Sequence, residues 1–528
     1  MRSNINQIEE QRRQEQNRLD AAREQAQRNR LGQFATPAAL AREIVKHVQK
    51  IWNDEPEKIR FLDPALGTGA FYSALRQVFP AESIESASGV EIDGSFAQTA
   101  RRLWRKTGLK VIEDDFLLLP PPPCHQRFNL VIANPPYVRH HHLGPEQKAR
   151  LKPISQKILG TNINGLMGLY CYFMIIAHHW MSHNALGVWL VPSEFMDVNY
   201  GLVLKKYLSE KVTLLQVHRY DPDDLQFDDA LVSSAVVIFR NRAPEENHRA
   251  LFSFGGSLPD PKHHNRVDLA DLGQERKWSK LSLITGKTRA SDSPQAVTMA
   301  SLFTIRRGIA TGGNSFFILP LHQAKELGIG LRFLRPTLPS PRFLPETVIE
   351  PDENGFPCLE KPLALIDSDL PEDQIRDICP PLWKYLQSGI ALGINRTYLT
   401  QRRHPWYHQE QREPALFLCT YMGRSLSNSK PFRFILNRSR AIATNVYLLL
   451  YPIGPLQSYL NHDRGRQEIV WHLLEEIKLE ALMGEARVYG GGLFKLEPAE
   501  LGRVSADSLV KALKLDIRRP PVQGVFDF

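Results

Sequence analysis

The stretch Phe61-Leu-Asp-Pro-Ala-Leu-Gly-Thr-Gly-Ala-Phe71 closes a short apolar run and opens a helical pattern. Gly67 and Gly69 allow the tight turn and the close backbone approach that a nucleotide-like ligand needs at the carboxyl end of a first strand. The spacing is not the six-residue dinucleotide fingerprint, and the turn does not run into Gly-Lys-Ser or Gly-Lys-Thr. A ligand held here is therefore expected to be gripped by groups other than a pyrophosphate.

Around this turn, from residue 31 to 242, short apolar or β-branched runs alternate with longer helical stretches. Strands are predicted at 60–63, 88–92, 110–112, 130–133, 187–191, 214–219 and 234–239, and helices at 37–52, 68–79, 94–107 and 166–181. Strands separated by helices imply crossover connections and a parallel sheet covered on both faces, a doubly wound α/β domain. Residues 1–30, rich in Glu, Gln, Arg and Ala and nearly free of large apolar side chains, read as a polar helical or disordered arm. A second reading has this arm touch DNA through Arg12, Arg13, Arg28 and Arg30. Residues 243–298 carry turn residues and mixed charge, and read as a connector with little structure of its own. Residues 299–528 form a second region with many prolines, interspersed aromatics, no βαβ rhythm and no fixed-period repeat.

At 528 residues the chain has room for two or three domains of the usual ~100–200 residues. Its 42% hydrophobic and 23% charged residues can build packed cores. The longest uncharged apolar stretch, Gly165 to Ala177, is shorter than the ~18 residues that cross a bilayer, and the N-terminus lacks a signal-peptide core. No membrane partner and a cytoplasmic location are therefore expected. Five scattered cysteines without Cys-x-x-Cys spacing argue against a disulfide framework and a zinc cage, and no metal site is expected. Lys and Arg number 66 against 57 Asp and Glu, and the net charge of +9 favours a polyanionic partner.

Chemistry gathers at successive strand ends. Glu91, followed by Ile92, closes the second strand about 20 residues after the glycines, where an acid accepts hydrogen bonds from ribose hydroxyls. Asp115 and Phe116 after the third strand offer an acid and a ring to an adenine. Each alone also reads as a turn or a helix cap. The sharpest signal is Asn134-Pro135-Pro136-Tyr137, directly after the apolar run 130–133. Consecutive prolines fix two φ angles and lack N–H groups, so the segment presents carbonyl oxygens and the Asn134 side chain in a rigid array. Two such acceptors on an exocyclic amine push its nitrogen toward tetrahedral geometry and free its lone pair. Tyr137 is placed to stack on the amine's ring.

These motifs, in this order, resemble those of the gamma-class DNA adenine-N6 methyltransferases of type II restriction–modification systems, typified by the TaqI, PstI and BsuBI enzymes. The resemblance implies a Rossmann-like class I S-adenosylmethionine-dependent methyltransferase domain over 31–242 and a C-terminal target-recognition, DNA-binding domain over 299–528. It implies S-adenosylmethionine as cofactor, held by Thr36 and Pro37 of Leu31-Gly-Gln-Phe-Ala-Thr-Pro37, by Asp63, Pro64, Ala65, Gly67 and Gly69, by Glu91 and Ile92, and by Asp115 and Phe116. Asn134 to Tyr137 match the catalytic motif. Leu169-Tyr170 match a following helix motif, with Gly168 where the family often has an acid. Gln226 to Phe239 resemble the segment in which an aromatic, here Phe227, stacks on an extruded adenine; the other reading makes Phe227 a core residue.

The resemblance also implies double-stranded DNA as partner and a restriction endonuclease on a separate chain. Ile305 to Asn314 resemble the opening of a target-recognition domain, with Arg306 and Arg307 available to a phosphate. Between residues 402 and 440 eight basic residues face two acids, interleaved with aromatics, and Arg402, Arg403, Arg433 and Arg438 are candidate DNA contacts. The alternative is a solvated basic face. Arg487 to Pro498 resemble a C-terminal element of the family. A fused nuclease is not expected, because in Leu359-Glu-Lys361 the acid sits beside the lysine. Two other functions stay open: methyl transfer to RNA or to a protein glutamine, and a catalytically silent DNA-binding specificity subunit.

Overall fold

The computed structural model of the chain describes residues 2–24, 32–52, 57–138, 143–160, 167–198, 201–221, 233–275, 277–282, 297–424, 430–489 and 493–516. The chain divides into two compact units, Met1–Arg289 with Val488–Gly492, and Ala290–Arg487 with Leu493–Phe528.

The first unit is built on nine strands: β1 (Ile59–Asp63), β2 (Ile84–Glu91), β3 (Leu109–Glu113), β4 (Phe128–Ala133), β5 (Met181–Pro192), β6 (Thr213–Arg219), β7 (Ser234–Arg240), β8 (Arg249–Ser257) and β9 (Asp260–Asp268). They form one sheet in the order β3-β2-β1-β4-β5-β7-β6-β8-β9. β4 shows why the sheet lies in the middle: all six of its residues are buried, with Leu130 and Ile132 in one core and Val131 and Ala133 in the other. A strand covered on both faces reads as a continuous apolar run, and that run is visible in the sequence. Helices α1 (Arg2–Ala21), α2 (Ala38–Trp52), α3 (Ala70–Val78), α4 (Gly94–Trp104), α5 (Pro145–Leu159), α6 (Leu169–Ala177) and α7 (Leu202–Glu210) accompany it. α2 and α3 pack on the Leu130 face, and α5, α6 and α7 on the Val131 face.

Three expectations are corrected. The sheet is mixed: β3-β2-β1-β4-β5 are parallel, but β7 runs antiparallel to both β5 and β6. A strand buried on both faces carries the same apolar signal in either direction, so the sequence pattern does not set its sense. The connector contains β8 and β9, a hairpin that extends the sheet by pairing β8 with β6. β9 is an exposed edge strand of polar residues, so its composition mimics a loop. The N-terminal arm is a docked helix: Ile5, Glu9, Arg12, Gln16 and Leu19 form a buried stripe along α1. Arg12, 3% exposed, is paired with Glu9 and is no DNA contact; Arg13 is exposed and pairs with Glu10, while Arg28 and Arg30 lie outside the described residues.

In the second unit a five-stranded sheet joins Phe303–Arg307, Tyr447–Pro452, Phe417–Thr420, Phe434–Asn437 and Val348–Ile349 in that order. Phe417 and Cys419 alternate with Leu418 between two cores, so both faces are covered. Antiparallel pairing of the first four strands accounts for the missing βαβ rhythm, and only Val348–Ile349 pairs parallel to its neighbour. Ile318–Pro320, Leu363–Ile366 and Leu334–Thr337 make a smaller sheet with its own apolar cluster.

Candidate functional site

The loop after β1 turns through two left-handed glycines, Gly67 (φ 55°) and Gly69 (φ 90°). A Cβ on Gly69 would lie 2.5 Å from Trp104 Nε1, which itself donates to the Thr68 carbonyl at 2.9 Å. Glycine is thus required by both φ and space. Asp63 at the end of β1 is buried, its Oδ1 accepts the Ala65 N–H, and burial pushes its carboxyl up to about 8. Glu91 at the end of β2 takes the Gly67 N–H on one oxygen (2.8 Å) and the Asp93 N–H on the other (2.9 Å); burial raises its pKa. Its carboxylate therefore ties the glycine turn to the neighbouring strand while facing a cavity.

That cavity runs along the carboxyl ends of β3, β2, β1 and β4. It is lined by Thr36, Asp63, Pro64, Ala65, Gly67, Glu91, Ile92, Asp115, Phe116, Asn134 and Pro136. Ile92 is 66% exposed and Phe116 is buried, stacked on Phe173 at 5.5 Å, so the two offer an open and a fixed apolar wall. Asp115 accepts the Leu117 N–H, and burial raises its pKa. Gly69 underlies the turn, and Pro37 and Pro135 adjoin lining residues without lining the cavity themselves.

Asn134 follows β4. Its Nδ2 donates to the Phe34 carbonyl (3.1 Å) and the Thr36 hydroxyl (3.0 Å), which fixes the orientation of the amide. Its Oδ1 is buried and has no hydrogen-bond partner among the described residues. Such an orphaned acceptor costs about 1–3 kcal/mol and calls for a donor from outside the chain. The segment 32–36 is bound to the motif a second time, since Tyr137 N–H donates to the Gly32 carbonyl at 2.9 Å. Gly32 (φ 62°) leaves no room for a side chain against the Tyr137 backbone. Tyr137 is only 9% exposed; its ring lies 5.6 Å from Phe34 and its hydroxyl reaches the Leu190 carbonyl at 3.4 Å. At the start of α6, a side chain at Gly168 would press on the Tyr170 ring, which accounts for the missing acid.

The structure thus brings the motif residues from 36 to 136 to one cavity. Phe227 lies outside the described residues. Sequence reasoning missed Gln16 and Asp20 of α1, which also line the cavity. Their signal is the helical spacing 5, 9, 12, 16 and 19, obscured because the buried stripe mixes charged and apolar side chains.

In the second unit the basic candidates separate. Arg403 donates to the Ala310 and Thr311 carbonyls and to Gln409. Arg433 donates to the Pro341, Leu344 and Pro345 carbonyls. Arg438 binds Glu350, Glu468, Gln467 and the Arg464 carbonyl. These three guanidinium groups are engaged in holding loops together. Arg306 is exposed, Arg307 lies 4.1 Å over the Tyr421 ring, and exposed Arg402 lies 3.8 Å over Tyr398, itself 67% exposed. Asp352 closes a turn by accepting the Asn354 and Phe356 N–H groups. Among the described residues no group of three or more His, Cys, Asp or Glu side chains is arranged to hold a metal, and no helix is long and apolar enough to cross a membrane.

Residues 89–225 match the Eco57I restriction-modification methylase family, and residues 275–518 match the C-terminal domain of the type II methyltransferase M.Eco57I. The chain is 25% identical to type II methyltransferase M.AccI of Acinetobacter calcoaceticus, over 90% of this chain and 85% of that protein. It is 26% identical to type II methyltransferase M.XamI of Xanthomonas campestris pv. amaranthicola, over 91% and 86%. The fold resembles that of the type IIL restriction-modification enzyme MmeI, solved in complex with DNA (TM-score 0.51, 12% identity); the match covers 79% of this chain and 60% of that one. The glycine turn and the acids at the ends of β2 and β3 fit S-adenosylmethionine, and the domain has the fold of a class I methyltransferase. By its fold, its cavity and these matches the chain is similar to the type II restriction–modification methyltransferases, and it takes S-adenosylmethionine as cofactor.

Proposed function

We propose that the chain methylates N6 of an adenine flipped out of a specific site in duplex DNA, protecting host DNA from a cognate endonuclease carried on a separate chain. The observation that carries this reading is the buried, unpartnered Oδ1 of Asn134 at the edge of the cavity. Bound S-adenosylmethionine supplies a methyl group made electrophilic by its sulfonium. The chain's own residues prepare the amine. Asn134 Oδ1 would accept one amine N–H and the Pro135 carbonyl the other, which frees the nitrogen lone pair to attack the methyl carbon as its bond to sulfur breaks, the neutral thioether leaving and the surplus amine proton passing to solvent. The Phe34 carbonyl and the Thr36 hydroxyl stop the amide from rotating, so the acceptor is set before the base arrives. Tyr137, fixed by its buried ring and by its N–H on Gly32, bounds the base on one side, and Phe227 is assigned to the other. Flipping costs a few kcal/mol, which stacking of ~1–3 kcal/mol per base offsets. Arg306, Arg307 and Arg402 are the proposed DNA contacts.

The test is transfer of labelled methyl from S-adenosylmethionine to unmethylated duplex DNA, followed by nucleoside analysis. Label in N6-methyladenine is expected, and Asn134→Ala should lower the rate roughly 10²–10³-fold, as removal of one preorganised polar partner does, with DNA affinity nearly unchanged. Label in another nucleoside, in RNA or in a protein glutamine overturns the choice of substrate. Full activity of Asn134→Ala overturns the mechanism.

A further inference from the structure

Helix α1 precedes every motif that the functional reading uses, yet Gln16 and Asp20 bound the same cavity as Glu91 and Asn134. The helix is held there by an uninterrupted chain of bonds. Arg12, buried and paired with Glu9, donates to the Thr68 hydroxyl at 2.9 Å. That hydroxyl donates to Gln16 Oε1 at 2.7 Å, and Gln16 Nε2 donates to Asp20 Oδ2 at 3.0 Å. Past the end of α1, Arg23 binds Asp93 and Gln33 and covers the Phe96 ring at 4.9 Å. A buried ion pair is costly to desolvate. Here it supports a hydroxyl on the cofactor turn, and through it the carboxamide and carboxylate on the cavity wall.

The strand order says which part of the ligand this wall meets. The acids assigned to the adenosine, Glu91 and Asp115, follow β2 and β3, and Asn134, where the methyl must arrive, follows β4. Between them lies the loop after β1, where Gln16 meets Thr68. The amino-acid end of the cofactor falls there, and its ammonium calls for an anionic acceptor. Asp20 stands on the cavity wall beside that loop, its carboxylate oriented by the Gln16 carboxamide. We propose that α1 is a wall of the cofactor site, with Asp20 receiving the cofactor's ammonium group and Gln16 acting as the positioning residue for Asp20. The proposal rests on the placement of the adenosine at Glu91 and Asp115.

The test is equilibrium binding of two cofactor relatives to the full chain: S-adenosylhomocysteine, which keeps the amino-acid end, and 5′-methylthioadenosine, which lacks it. Asp20→Asn should weaken S-adenosylhomocysteine about tenfold or more, the range of one charge-assisted hydrogen bond, and leave 5′-methylthioadenosine within about twofold. Gln16→Ala should move the same way by a smaller factor. Equal loss of both ligands in Asp20→Asn, or loss of neither, overturns the assignment. Glu91→Gln separates this failure from failure of the adenosine placement, since it should weaken both ligands alike; if it spares 5′-methylthioadenosine, that placement is wrong and the inference falls with it.

Discussion

At the scale of single residues, burial decides protonation. Asp63 is buried at the end of β1 and titrates near 8, against 3.8 for an ordinary aspartate. Between these values the folded state carries the extra proton, so stability is fully present below about 4 and is lost as pH rises through about 8. Asp63→Asn keeps the acceptor for the Ala65 N–H and cannot ionise. Urea unfolding of this variant should lack the decline that the parent chain shows between about pH 4 and 8, a loss on the order of 5 kcal/mol. An identical decline in both proteins would show that Asp63 ionises freely. Gly69 makes a different prediction. A methyl group there meets Trp104 Nε1 at 2.5 Å and strains a left-handed φ of 90°. Gly69→Ala should therefore lower the melting temperature and weaken binding of S-adenosylhomocysteine, whereas Ser95→Ala, at the exposed start of α4, should do neither.

At the scale of elements, α2, β6 and β8 share a buried polar chain. His47 Nε2 pairs with Gln216 Oε1, Gln216 Nε2 donates to Ser253 Oγ, and Ser253 Oγ lies 3.0 Å from His218 Nδ1. Burial depresses the His218 pKa to about 4. The unfolded imidazole, with a pKa near 6.5, gains its proton first as pH falls, so this contribution to stability is present above about 6.5 and lost on descent through about 4. Replacing His218 by Gln should flatten the pH dependence of unfolding over that window by up to about 3 kcal/mol, a sign opposite to that of Asp63. An unaltered profile would mean that the imidazole is solvated. Elements of this kind also show what the sequence made legible. The first seven strands and four of the helices follow from apolar runs, because a covered sheet needs nothing else. β9 reads as a connector because an edge strand need not be apolar, and β8 because it ends in the turn-forming Gly255 and Gly256. The polar composition of residues 1–30 hides the docking of α1, because its buried stripe consists of Glu9, Arg12 and Gln16 as much as Ile5 and Leu19. Satisfied polar burial leaves no mark in composition; only the partners reveal it.

At the scale of the whole molecule, the surplus of nine positive charges does not say which arginines face a ligand. Arg402, stacked on exposed Tyr398, and Arg433, spent on three loop carbonyls, look alike in sequence. They should respond differently to truncation. Arg402→Ala is expected to weaken duplex binding and reduce the slope of log affinity against log salt by about one, with the melting temperature unchanged. Arg433→Ala should lower the melting temperature, having left three carbonyls without their donor. Reversed outcomes would exchange the two roles. The cavity motifs were legible because they sit at consecutive strand ends, where order in the chain becomes adjacency in space. The basic surface was not, because its residues come from loops whose contacts depend on the fold. The nine-stranded sheet carries a last consequence. Its final strand, β9, pairs on one side only among the described residues, the kind of edge on which another chain's strand can assemble. Lys262 and Arg266 along that strand make such growth a repulsive encounter between two copies, so the sheet is terminated by charge where it is not terminated by a covering helix.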